Sequence, residues 1–84
     1  PAEVAVIVPV YGDHDATALC FEMLLADRPS AVRRRIIAVD DASPDPRITA
    51  LLDRLAAAGA VELLRNPRNL GFALSVNRAL QATG

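Results

Sequence analysis

Apolar positions along this chain follow two patterns: short unbroken runs, and stripes spaced three and four residues apart. The run Val4 to Val8 (VAVIV) is rich in β-branched residues, which suits a strand buried on both faces. Pro9 has no N–H to donate, so regular pairing is expected to end about there. Gly12-Asp13-His14-Asp15 reads as a loop, with Asp13 or Asp15 as the N-cap of a helix from Ala16 to Ala26. Ala16, Leu19, Cys20, Met23 and Leu24 form its predicted apolar stripe, and Arg28-Pro29-Ser30 stops it. Ile36 to Val39 is the second predicted strand. Asp45 then caps a helix with Pro46 at its first position. Ile48, Leu51, Leu52 and Leu55 make this the clearest amphipathic helix, and Gly59 ends it. Val61 to Leu64 is a third, shorter strand, followed by a turn at Asn66-Pro67. Asn69 is the expected cap of a last helix with the stripe Leu70, Ala73, Leu74, Val76, Ala79 and Leu80.

The order β-α-β-α-β-α with short links predicts an α/β fold. Its three layers are a mostly parallel sheet with helices on its faces, built from right-handed βαβ units. Residues 1–84 read as a single domain without internal repeat or linker. At 84 residues there is room for one modest core. Apolar residues make up 52% and charged residues 23%, a globular balance. A net charge of −1 gives no electrostatic case for nucleic acid or an anionic membrane. All nine basic residues are arginine. With the many alanines this reflects genomic base composition, and a bacterial source is expected. The one cysteine, Cys20, has no disulfide partner and reads as a small buried apolar residue. No run reaches the roughly 20 apolar residues of a membrane span, and no basic segment precedes an apolar one. A cytoplasmic location is expected, at the inner membrane surface if the complete protein attaches there. Starting at Pro1 and stopping at Gly84 after an apolar helix, the chain is expected to be a piece of something longer.

Two adjacent carboxylates, Asp40 and Asp41, stand where the second strand ends. In an open α/β sheet, ligands sit beyond the carboxyl ends of the strands. Pro9-Val10-Tyr11, Asp40-Asp41-Ala42-Ser43 and Asn66 to Gly71 would meet there. Tyr11 offers an aromatic face, the aspartates offer acceptors, and Asn69, Gly71 and the last helix offer backbone N–H groups. Paired carboxylates repel phosphate but suit neutral donors, such as a base imide or ribose hydroxyls. On chemistry alone the crevice reads as a nucleoside site. The competing reading for either aspartate alone is a turn cap or a solvated carboxylate. For Tyr11 it is a loop aromatic packed on the first helix.

"VAVIVPVYGD", "IIAVDDASPD" and "RNPRNLGFALSVNRAL" resemble the three opening blocks of the family 2 glycosyltransferases, which have the GT-A fold. The resemblance covers nearly the whole chain in order and spacing. It implies the Rossmann-like, N-terminal nucleotide-binding portion of a larger enzyme. That enzyme would move a sugar from a nucleotide diphosphate donor, UDP- or dTDP-linked, to an acceptor hydroxyl. Carried over, Pro9 and Tyr11 form the wall near the base. Asp41 accepts from the base, and Asp40 lies at the ribose or shapes the loop. Asn69, Gly71 and Asn77 belong to the block that closes on the diphosphate. Gly12 stands where asparagine is common, and Leu74 to Asn77 match loosely. The DxD-type motif for a divalent metal, Mg²⁺ or Mn²⁺, would follow on a fourth strand, and the catalytic base later still. Catalytic residues and metal ligands are therefore not expected within these residues. Asp13-His14-Asp15 resembles a metal clip but reads as helix capping with a solvated His14.

A receiver domain would carry its acidic pair after the first strand, and a dinucleotide-binding half would need G-x-G-x-x-G there. The alternative of another class is a non-catalytic nucleotide-binding or assembly module with a degenerate site. In the fold this resembles, the first strand lies between strand two and a fourth strand beyond these residues, so the apolar edge Val4 to Val8 is expected to be unpaired on one side and to join a second copy as a homodimer.

Overall fold

A computed structural model describes residues 2–26 and 32–83. The elements run β1 (Ala2–Val10), α1 (His14–Ala26), β2 (Val32–Asp40), α2 (Pro46–Ala57), β3 (Glu62–Arg65) and α3 (Phe72–Thr83). The three strands form one parallel sheet in the order β1-β2-β3. The expected α/β architecture is what the chain adopts. The helix stop expected at Arg28-Pro29-Ser30 lies outside the described residues.

Side chains alternate across the sheet, and the helices divide accordingly. Val10, Ile36 and Ala38 point to one face, where they pack with Phe21 of α1, Ile48 and Leu52 of α2, and Val61. Ile37 and Val39 point to the other and meet Ala79 of α3, with Ile7 and Leu64 beside them. Helices α1 and α2 thus share one layer, and α3 forms the opposite one.

Helix α2 matches its expected pattern. The Asp45 side chain accepts from the Arg47 N–H, Pro46 opens the helix, and Ile48, Leu51 and Leu52 are buried. Its end is a Schellman turn. Ala60 N–H donates to Leu55 O and Gly59 N–H to Ala56 O, with Gly59 at φ 76° just beyond the cap, Ala58.

Elsewhere the boundaries and buried faces differ from expectation. Strand β1 continues through Pro9 to Val10, which lies opposite Asp40. The reason is its position at the edge. Val10 O accepts from Asp41 N–H, so the even residues bond to β2 and the odd ones face outward. The N–H that Pro9 lacks falls on the open side, where no ladder bond is lost. Strand β1 is covered only in part: Val6 and Val8 pack against one core cluster and Ile7 against the other, while Val4 is 45% exposed. Strand β2 starts earlier than the apolar run, at Val32. Two of its arginines find partners instead of a core: Arg35 binds Glu62 of β3 through two hydrogen bonds, and Arg34 donates to Leu24 O. Strand β3 is shifted one residue, to Glu62–Arg65, although Val61 is buried.

Helix α1 turns a different stripe inward. Phe21 is buried with Leu24 and Leu25 packed beside it, while Leu19 and Met23 are exposed. Ala16 and Cys20 are exposed too. The helix is apolar nearly all round, so spacing alone could not choose a face, and the largest side chain took the core. In α3 the buried residues are Ser75 and Ala79, while Ala73, Leu74 and Leu80 are exposed. Its cap is also displaced from Asn69. Ser75 N–H donates to Gly71 O, so Gly71 is the N-cap and Leu70 stays outside the helix.

Candidate functional site

The loops after β1 and β3 lead to helices on opposite faces of the sheet. A crevice opens between them at the carboxyl ends of β1 and β2. This is where open α/β sheets bind ligands. A cavity of about 230 Å³ lies there, lined by Pro9, Val10, Tyr11, Asp41, Phe72 and Ser75.

Two backbone hydrogen bonds and one serine fix the loops around it. Asp41 N–H donates to Val10 O and Asn66 N–H to Asp40 O, each at 2.9 Å. The Ser43 hydroxyl donates to Val10 O at 3.3 Å and accepts from Gly12 N–H at 3.4 Å. Between them Ala42 is held at φ 59°, in the left-handed region.

Asp40 and Asp41 are each 4% exposed, yet they face opposite layers. Asp40 looks toward α2. Its Oδ1 accepts from Ser43 N–H at 2.9 Å, and its Oδ2 lies 3.7 Å from Arg65 Nε. Arg65 in turn binds Asp53 and the Thr49 carbonyl, both on α2. Asp41 looks toward α3. Its Oδ1 accepts from Leu70 N–H at 2.6 Å and Asn66 Nδ2 at 2.7 Å, and its Oδ2 from Gly71 N–H at 2.9 Å. The Leu70 N–H above all holds the Asp41 carboxyl below the usual carboxylate range; Asn66, Gly71 and Ser75 add to this and burial opposes it. Asp41 is thus an ionised acceptor at neutral pH. Gly71 supports it with φ 88°, which lets the N–H point at the carboxylate while the carbonyl starts α3.

Asn66 is the centre of this polar cluster and is 5% exposed. Its amide donates to Asp41 and to Ser75 Oγ at 2.9 Å, and its carbonyl oxygen accepts from Arg78. Arg78 also donates to Arg65 O. Among the described residues every buried side-chain nitrogen and oxygen has a partner.

The family model for glycosyl transferase family 2 matches residues 5–84. The chain belongs to glycosyl transferase family 2. A comparison with curated proteins gave no match. The parallel sheet and element order make it the Rossmann-like half of the GT-A fold.

Of the residues the family resemblance singles out, the structure gathers Pro9, Tyr11 and Asp41 around one cavity. Gly71 touches that site through its N–H on Asp41. Asp40 lies behind the sheet, on the α2 side, where it shapes the loop. Asn69 and Asn77 are exposed and do not line the cavity. The N–H groups of Leu70 and Gly71, expected to face a ligand, are directed at Asp41 instead. Asp13 and Asp15 are helix-end groups. Asp13 accepts from Ala16 N–H, and Asp15 pairs with His14 Nδ1.

Sequence pattern alone does not single out Asn66, Ser75, Arg78 or Phe72. The one available signal was a serine in the middle of an otherwise apolar helix, which asks for a buried polar partner.

The donor set does not suit a divalent ion. Among the described residues no three His, Cys, Asp or Glu side chains come together. Asp41 is the one carboxylate lining the cavity, because Asp40 faces the opposite layer. No ligand cluster for the Mg²⁺ or Mn²⁺ that the family resemblance implies is gathered among the described residues. Among the described residues no helix is long and apolar enough to cross a membrane.

Proposed function

We propose that this chain forms the donor-nucleotide pocket of a glycosyltransferase that uses a UDP- or dTDP-linked sugar. One observation carries the reading: a buried, ionised Asp41 forms the floor of a cavity beside the exposed ring of Tyr11. An anionic floor disfavours phosphate and favours a neutral N–H donor. Uracil and thymine carry an imide N–H, whereas cytosine does not. Asp41 Oδ2 accepts one backbone N–H and retains capacity for another donor. Tyr11 and Pro9 supply flat apolar walls for the ring. The cavity is smaller than the 300–1,000 Å³ usual for drug-sized ligands. It has room for a base, with sugar and diphosphate lying outside it toward the exposed Asn69. Asp40 keeps the loop in shape, Gly71 holds Asp41, and Asn77 receives no role.

In the complete reaction the acceptor hydroxyl oxygen becomes bonded to the anomeric carbon, the nucleoside diphosphate leaves with the electron pair of the broken bond, and the hydroxyl proton passes to the base that the family resemblance places later in the enzyme. The described residues bind and orient the nucleotide for that step. Titration with UDP, followed by amide chemical shifts, tests the reading. Saturable shifts at Tyr11, Asp41 and Gly71 are expected with UDP and dTDP, and weaker ones with CDP. No shift with any of the three at millimolar concentration would replace it with a non-catalytic assembly module.

The open edge of β1 supports a homodimer joined through antiparallel first strands. Among the described residues β1 pairs only with β2. Pro9 removes one outward donor, so Ala5 and Ile7 are its central pairing positions. Sedimentation at tens of micromolar tests this, and a monomer there would refute it.

A further inference from the structure

The chain has three aromatic side chains, one tyrosine and two phenylalanines. Phe21 fills the core at 1% exposure. The other two, Tyr11 at 58% and Phe72 at 73%, are both exposed, and both line the cavity above Asp41. We infer that Phe72 is a second base-stacking residue, which with Tyr11 forms a two-sided aromatic slot for a pyrimidine ring. The inference rests on the donor-nucleotide reading and adds a specificity residue to it.

A side chain of this size left in water forgoes apolar burial. Phe72 does so on a backbone that is fixed on both sides. Gly71 before it donates to Asp41, and Ser75 in the next turn donates back to Gly71. Its Cα is therefore held at the cavity rim while its ring is free to cover a ligand. Only two side-chain torsions are immobilised when it does so, which keeps the ordering cost low.

Tyr11 follows the end of β1 and Phe72 is the first residue of α3, so the two rings reach the cavity from different elements. The cavity floor is polar, Asp41 and Ser75, and the side by β1 is Pro9 and Val10. A flat ring with a polar edge satisfies both: its faces meet apolar and aromatic surface, and its imide edge meets Asp41. A sugar or a phosphate offers no such pair of faces.

The experiment compares UMP with ribose 5-phosphate, which keeps the sugar and phosphate and lacks the base. Both are titrated into the parent chain and into Phe72→Ala, Phe72→Leu and Phe72→Trp. Base stacking lost by alanine substitution corresponds to roughly 5- to 150-fold in affinity. Phe72→Ala is expected to weaken UMP within that range. Leucine should recover part of the loss and tryptophan all of it. Binding of ribose 5-phosphate should stay unchanged, as should the melting temperature. If the parent binds UMP and Phe72→Ala binds it within twofold, Phe72 has no stacking role, while the nucleotide pocket stands. If the parent fails to bind UMP, the pocket reading and the slot fall together. A large fall in melting temperature for Phe72→Ala would make Phe72 a packing residue and overturn the inference.

Discussion

The two faces of the sheet are built from different materials. The face toward α1 and α2 is packed with large apolar side chains: Phe21, Ile36, Ile48 and Leu52. The face toward α3 is narrow. Ile37, Val39 and Ala79 form a small apolar patch, and beside it Asn66, Ser75 and Asp41 form a buried polar cluster. Small residues on α3 let that helix lie close enough to the sheet for Ser75 to reach Asn66. Large residues on the other side exclude water but position nothing. The neighbours Asp40 and Asp41 show the division within one dipeptide. Alternation along β2 sends one carboxylate to the arginine beside α2 and the other to the loop before α3. Stability is concentrated on one face, and the candidate chemistry on the other.

Substitutions on each face should therefore fail in different ways. Leu52→Ala is expected to have the largest effect on stability. Leu52 is fully buried at the centre of the first face. Such a truncation costs about 2–5 kcal/mol, a large share of what a domain of this size possesses. The molecules that remain folded should bind UDP with unchanged affinity. Denaturant unfolding combined with titration below the transition measures both quantities. Unchanged stability would place the main core elsewhere.

Asn66→Ala should cost less stability and more binding. It removes the hydrogen bonds that Ser75 and Arg78 make to Asn66, a loss of roughly 1–3 kcal/mol, and one donor from Asp41, while Arg78 keeps its bond to Arg65 O. UDP affinity should fall together with stability, unlike in Leu52→Ala. If Asn66→Ala melts earlier yet binds UDP normally, the polar cluster is scaffold alone.

Acid should separate the two faces as well. The folded Asp41 carboxyl titrates below its unfolded value, so the folded chain holds fewer protons between the two. The stability this provides is complete above about pH 4, the unfolded carboxylate value. It is lost as pH falls through the folded one. Glu62, paired with Arg35, and Asp45, paired with Arg47, are lowered in the same direction. Those exposed ion pairs are screened by salt, whereas Asp41 is held by uncharged N–H groups. In high salt the remaining acid loss should be carried mainly by Asp41, and Asp41→Asn should flatten it. An equally steep acid loss in Asp41→Asn at high salt would assign it to other carboxylates.

How far the sequence foretells this molecule follows the same division. Helix α2 was legible because its signals agree: an aspartate cap, a proline at the first position, one apolar stripe and a terminal glycine. In α1 apolar residues surround the helix, so periodicity had no preferred face. In α3 the periodic signal pointed to Leu74 and Leu80, but the sheet required small residues, and those carry little hydrophobic weight. The strand-end carboxylates were legible as a feature. Which of the two meets the crevice was not, because that depends on which face α3 occupies. Asn66 looked like a turn residue because its role comes from partners 25, 9 and 12 positions away.

The smallest expected effect concerns the residue between the two faces. Ala42 has φ 59°, a conformation that costs an L-residue roughly 1–2 kcal/mol. It is held there from both sides, by Asp41 N–H on Val10 O and by Ser43 N–H on the Asp40 carboxylate. Ala42→Gly removes the strain but gives the unfolded chain more freedom, which costs about 0.4–1 kcal/mol. The net gain should lie between zero and about 1.6 kcal/mol, a rise of up to about 10 °C in melting temperature. Glycine also loosens the hinge that aims Asp40 and Asp41 apart. UDP affinity should therefore fall slightly, by about twofold, while stability rises. Opposite signs in the two measurements would place the strain in service of the site. A gain in both would show that the rigid aim of Asp41 is unnecessary for binding, and a fall in melting temperature would show that the left-handed turn at Ala42 carries no strain to release.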